Sequence, residues 1–160
     1  MKILPILCLV GVLASVGCKT NMPSYEAGNT NSARKVLVAS EDTGFKRRVV
    51  ARVIERLGTR DWYFKVIGLD QLPAEQTGQY GAILLGTEIQ GGVLEKRAAE
   101  YLKLDPANGK VVLFYTRGME GAVPENARLD LNVDAVSSAS RQDREETRAE
   151  ELAALIRQRF

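Results

Sequence analysis

The sequence predicts an α/β domain built on a doubly wound, five-stranded parallel sheet of order 2-1-3-4-5. Two observations predict it. From Lys35 to Phe160, apolar runs of strand length alternate with stretches of helical period. Of the five strand candidates, the first, third and fourth are apolar throughout, whereas the second and fifth carry polar residues. Continuous apolar runs suit strands covered on both faces by helices, and inserted charges suit sheet edges. The order 2-1-3-4-5 puts the second and fifth strands at the edges.

The three apolar runs are Val36-Leu37-Val38-Ala39, Ala82-Ile83-Leu84-Leu85 and Val111-Val112-Leu113-Phe114. The second candidate, Trp62 to Ile67, is broken by Lys65. The fifth, Leu129 to Val136, alternates: Leu129, Leu131, Val133 and Ala135 share one face, and Asp130, Asn132 and Asp134 the other.

Three helices are expected between and after these strands. Phe45, Val49, Val50, Val53, Ile54 and Leu57 form one stripe, with Lys46, Arg47, Arg48, Arg52 and Arg56 falling largely outside it. Leu94, Ala98, Tyr101 and Leu102 form a second, ended by Asp105-Pro106 and Asn108-Gly109. The third turns Ala149, Leu152, Ala153, Ile156 and Phe160 inward, opens with Ser140 as cap and Asp143 three residues on, and closes with Arg157 and Arg159. Asp70 to Gln79 has room for a turn or two of helix. Thr116 to Arg128 is barely long enough for a parallel crossover.

Composition removes several function classes. The chain has no histidine, and its two cysteines are Cys8 and Cys18. A Ser-His-Asp or Cys-His centre, a cysteine zinc site or a disulfide framework therefore cannot be built in the domain, and no metal is expected. With 22 basic and 20 acidic residues the net charge is +2, too small a field to steer nucleic acid. No paired-acid or nucleophile–base spacing supports a hydrolase or transferase, so no catalytic residue is assigned.

The amino terminus reads as an address. Met1-Lys2 precedes an apolar run, Ile3 to Leu13, too short to cross a bilayer as a helix but suited to a signal peptide. Ala14-Ser15-Val16-Gly17-Cys18 then resembles the lipobox of bacterial lipoproteins, with Ser15 in place of the usual leucine. That resemblance implies a signal peptide over residues 1–17 and lipid on Cys18. It places the protein in the bacterial cell envelope, anchored to a membrane and facing the periplasm or the surface. The alternative is an ordinary signal peptide with an incidental cysteine. Residues 18–34 are polar and Asn/Ser/Thr-rich after the cysteine and read as a flexible tether to a domain over 35–160.

The first strand runs into Ser40-Glu41-Asp42-Thr43-Gly44-Phe45-Lys46, and with this loop the chain resembles the flavodoxin family over roughly Lys35 to Phe160. In that family Thr-x-Thr-Gly-x-Thr wraps the FMN phosphate at a helix start, where exposed amides and the helix dipole attract an anion. Thr43 and Gly44 match. Glu41 and Lys46 replace the outer two hydroxyl residues. The resemblance implies a phosphate on the backbone around Thr43, Gly44 and Phe45, with Lys46 supplying charge. The alternative role for Thr43 is a plain helix cap. The family's second flavin loop, Gly-[Ser/Thr]-Pro-[Ile/Val]-[Tyr/Trp]-x-Gly, is met by Gly86-Thr87-Glu88-Ile89-Gln90-Gly91-Gly92. Gly86, Thr87 and Ile89 match, but Gln90 stands where an aromatic would stack on the ring. Tyr115, after the fourth strand, is the candidate substitute, or else a half-buried strand-end tyrosine. Ser137-Ser138-Ala139-Ser140-Arg141 brings hydroxyls and an arginine to the same sheet edge.

Two functions follow from the resemblance. The favoured one is a non-catalytic binding or interaction module with a degenerate flavin site, engaging the membrane through Cys18 and an envelope protein partner. The other is an FMN-binding electron-transfer flavoprotein.

Overall fold

The computed structural model describes residues 21–104, 109–117 and 134–160. Cys18, the signal segment, Asp105-Pro106, most of the expected fourth crossover and the first half of the expected fifth strand lie outside the described residues.

Among the described residues the chain runs β1 (Tyr25–Gly28), β2 (Lys35–Ser40), α1 (Gly44–Leu57), β3 (Tyr63–Gly68), β4 (Ala82–Gln90), β5 (Val93–Leu94), α2 (Lys96–Leu104), β6 (Val111–Arg117), β7 (Asp134–Ala139) and α3 (Glu145–Arg157). One sheet has the order β1-β3-β2-β4-β6-β7, and β5 pairs with β4 alone. The five strands β3-β2-β4-β6-β7 are mutually parallel and in register along their length. The pleat sends alternate residues to opposite faces. Val36, Val38, Leu84 and Phe114 join the α1/α3 face, whereas Leu37, Ala39, Leu85 and Leu113 join the α2 face. The central-strand residues on both faces are buried, as parallel strands with crossover helices require.

The α1 stripe is buried as its period predicts, and so is Lys46, which was expected outside it. Arg48, Arg52 and Arg56 instead meet acids of α3. Arg48 Nε lies 2.6 Å from Glu145 Oε1, Arg52 Nη1 lies 2.7 Å from Glu146 Oε2, and Arg56 reaches Glu146 and Glu150. This basic row is thus a seam between two helices.

Five further differences have local causes. Residues 21–34, expected as tether, are part of the fold. Met22 is 2% exposed, and β1 adds an antiparallel strand to β3, so β3 is not an edge and the sheet exceeds five strands. Lys65 of β3 is accommodated by Glu75, 2.7 Å away, whose other oxygen accepts from Tyr80. Leu94 sits in β5 rather than in α2. The face reading of the last strand is reversed where described: Ala135 is exposed and Val136 is buried. Ser140 makes no capping bond; the chain takes a 3-10 turn over Gln142–Arg144 before α3 begins. Phe160 lies beyond α3 and is 47% exposed, its ring set edge-on to Trp62 at 4.9 Å.

Candidate functional site

In a doubly wound sheet the ligand crevice opens at the carboxyl ends of the strands where the order reverses, here between β2 and β4. Ser40 ends β2 beside Gly86 of β4. Gly86 is required there, because a Cβ would lie 2.3 Å from Ser40 Oγ. The Ser40 hydroxyl donates to Glu41 O at 2.8 Å, and the Glu41 amide donates to Gly86 O at 3.2 Å. The chain therefore leaves β2 tied down on β4.

Thr43 caps α1. Its extended backbone lets Oγ1 accept from the Lys46 amide at 3.1 Å, which uses a lone pair and leaves the hydroxyl proton able to donate. Phe45 turns into the core, 6.1 Å from the Phe114 ring. Asp42 accepts two bonds from Arg47, at 3.0 and 2.6 Å.

Lys46 is the departure from expectation. Its side chain is wholly buried, with Nζ 2.8 Å from Oε2 of Glu41, itself 5% exposed. Its charge is spent on a carboxylate of the same loop rather than presented to solvent. Glu41 and Lys46 are also the two positions at which the loop departs from Thr-x-Thr-Gly-x-Thr. At these two positions the chain carries a buried ion pair where that motif has two hydroxyls. A charge pair this deep is tolerated only when each member satisfies the other.

The second loop forms a β-hairpin. β4 continues through Glu88, Ile89 and Gln90, and Gly91-Gly92 turns it into β5, pairing Gln90 with Val93. Both glycines have positive φ, 57° and 80°, the conformation a two-residue hairpin turn demands. Gln90 is exposed on the hairpin and donates to Glu88 at 2.7 Å. Thr87 is fully buried, and its Oγ1 has no hydrogen-bond partner among the described residues. Tyr115 neighbours Thr87 in register and is half-buried against the α2-side core. Arg141 is held by Asp143 at 3.1 Å, and buried Ser138 donates to Ala139 O.

The fold thus brings Thr43, Gly44, Gly86, Thr87 and Tyr115 to one sheet edge. Phe45 and Lys46 turn inward there, and Gln90 is carried out on the hairpin. The sequence reading missed three residues beside this edge. Asn21 bridges to Glu41 and accepts from Arg97 Nη1 at 2.8 Å. Glu95 takes bonds from Arg97 Nε at 2.7 Å and from the Ala98 amide at 3.2 Å, and so opens α2. A methionine in a polar segment, Met22, was the available signal.

Burial alone would raise the Glu95 carboxyl, but the Arg97 and Ala98 bonds hold it below the ordinary glutamate value. A carboxylate with a lowered folded pKa contributes stability above its unfolded value, and that contribution is lost as pH falls through the folded one. Urea midpoints are accordingly expected to fall between pH 6 and pH 3, and to fall less in Glu95→Gln. An identical loss in that variant assigns the acid sensitivity to other carboxylates.

No protein-family model matches the chain, and no curated protein sequence does. Solved structures do. Oxidised Flavodoxin 2 from Bacillus cereus superposes with a TM-score of 0.57 at 18% identity, over 79% of this chain and 99% of that one. A flavodoxin from the domain Archaea gives 0.57 at 13% identity, over 78% and 98%. The flavodoxin, WrbA-like protein from Agrobacterium tumefaciens gives 0.51 at 15% identity, over 81% and 100%. With the sheet order and both helical layers above, these likenesses establish that the fold of this chain is flavodoxin-like.

Proposed function

We propose that this protein is a lipid-anchored envelope protein whose flavodoxin-like domain serves as a flavin-free binding or interaction module. The observation that carries the reading is the buried Lys46–Glu41 pair. FMN is the cofactor such a fold implies, and the residues here do not fit it. The cation expected at the phosphate is turned inward, and the position of the ring-stacking aromatic is Gln90, exposed on a hairpin. Altered loops on a retained core accord with reuse of a fold for another role. Among the described residues no group of three metal-binding side chains is assembled.

The FMN electron-transfer reading draws on Thr43 and Gly44, which keep a capped helix start at the switch point. The visible spectrum of the purified protein separates the two. The module reading expects no flavin band and no flavin released on denaturation; stoichiometric FMN overturns it.

The lipid anchor rests on the Ala14 to Cys18 sequence. Cys18→Ser is expected to move the protein out of the membrane fraction and to remove acyl mass from its mature amino terminus. A wild-type protein without acyl mass contradicts the anchor.

A further inference from the structure

The residues just after the expected anchor are held at one end of the sheet. Asn21 bridges to Glu41, immediately beyond the carboxyl end of β2. Its side chain accepts from Arg97 in the first turn of α2, and it packs so closely on Gly68, the last residue of β3, that a Cβ there would lie 2.5 Å from Asn21 Cβ. Met22 donates its amide to Ser40 O at 3.2 Å and buries its side chain in the α1/α3 core. Successive residues of this segment thus lock onto opposite layers of the domain.

Cys18 precedes Asn21 by three residues. Three fully extended residues span at most about 10 Å. A free tether over 18–34 would span up to about 60 Å. An acyl chain on Cys18 therefore holds the carboxyl edge, and not merely the domain, against the bilayer.

We propose that the carboxyl edge of the sheet, with the Gly91-Gly92 hairpin beside it, is the membrane-facing surface of this protein, and that the amino edge faces water. The inference rests on the lipidation of Cys18 proposed above. Its occupant is the lipid surface to which that chain belongs. Val93, 69% exposed on the hairpin, lies on the side turned to lipid, and exposed Arg60, in the turn before β3, lies at the opposite edge. A six-residue parallel strand separates the two edges by about 20 Å. The crevice that binds ligands in doubly wound sheets would then open toward headgroups, which restricts any protein partner at that edge to membrane-proximal ones.

The cysteine count makes the test direct. Cys8 leaves with the signal peptide and lipid occupies Cys18, so an introduced cysteine is the one thiol available for labelling. Val93→Cys and Arg60→Cys variants of the full-length lipoprotein, each carrying a fluorophore, are reconstituted into phosphatidylethanolamine/phosphatidylglycerol vesicles containing headgroup-labelled quencher lipid. Mass spectrometry of the same samples reports the acyl group. The expected result is several-fold stronger quenching at position 93 than at position 60. Adding Asn21→Ala and Met22→Gly, which loosen the clamp, should bring the two values together. Equal quenching in acylated protein with an intact clamp overturns the orientation and leaves the anchor standing. Absence of acyl mass overturns both.

Discussion

Glu41→Leu, with Lys46 left in place, is expected to destabilise the domain by about 3–5 kcal/mol, the range for removing one partner of a buried pair. The ammonium of Lys46 is wholly buried, and Glu41 Oε2 at 2.8 Å is the carboxylate against it. Lys46→Met should cost a similar amount, because it leaves the Glu41 carboxylate at the same depth without that ammonium. The double variant Glu41→Leu/Lys46→Met should recover most of the loss, since well-packed apolar replacements of buried pairs are often neutral or stabilising. Urea unfolding of the four proteins closes a double-mutant cycle. Additive single losses would mean that the two side chains do not depend on one another, and the account of the first loop as holding a coupled pair would fail.

The second large effect lies in the sheet. Leu37→Ala, Leu84→Ala and Leu113→Ala are each expected to cost about 2–5 kcal/mol, because each removes a fully buried side chain from a strand packed on both faces. Leu84 faces the α1/α3 layer with Val36 and Phe114, while Leu37 and Leu113 face the α2 layer. Val93→Ala, at an exposed hairpin position, should change stability by no more than about 0.5 kcal/mol. Equal losses at Val93 and at the three leucines, measured by denaturant midpoint, would reject the burial of these strands between two layers.

The parts of this fold legible in sequence were those governed by hydrophobic period. Val36 to Ala39, Ala82 to Leu85 and Val111 to Phe114 are uninterrupted apolar runs, and only interior parallel strands need them. The α1 stripe is equally plain. β1 was illegible because Tyr25-Glu26-Ala27-Gly28 buries almost nothing; it is held by main-chain pairing with β3, which leaves no apolar pattern. Gly28 alone marks it, with φ of 93° and no room for a Cβ against Trp62 O.

At the site, loop spacing left two features unread. Gly86 to Gly92 resembles a flavin loop by glycine position, and its Gly91-Gly92 pair is also a hairpin signal, which turns β4 into β5. Lys46 is basic like the residues outside the α1 stripe, but it stands three and four residues before Val49 and Val50 and so shares their face. Reading Lys46 by position, with Glu41 five residues earlier, would have suggested a buried pair. Asn21 and Arg97 are far apart in sequence, and their contact depends on the assembled sheet edge.

The proposed flavin-free role rests on the buried Lys46–Glu41 pair, which stands where the flavodoxin motif carries hydroxyls, and flavin titration tests it most directly. A soluble form beginning at Lys19, which retains Asn21, Met22 and β1, is titrated with FMN and with riboflavin while flavin fluorescence is followed. The wild type is expected to leave FMN fluorescence unchanged at micromolar protein. Glu41→Thr/Lys46→Thr, which restores both hydroxyls and orphans neither charge, is expected to bind FMN in preference to riboflavin, since bonds to a charged acceptor contribute about 1.5–3 kcal/mol each. Adding Gln90→Tyr should tighten that binding by supplying a stacking ring. Tight FMN binding by the unmodified protein would contradict the account.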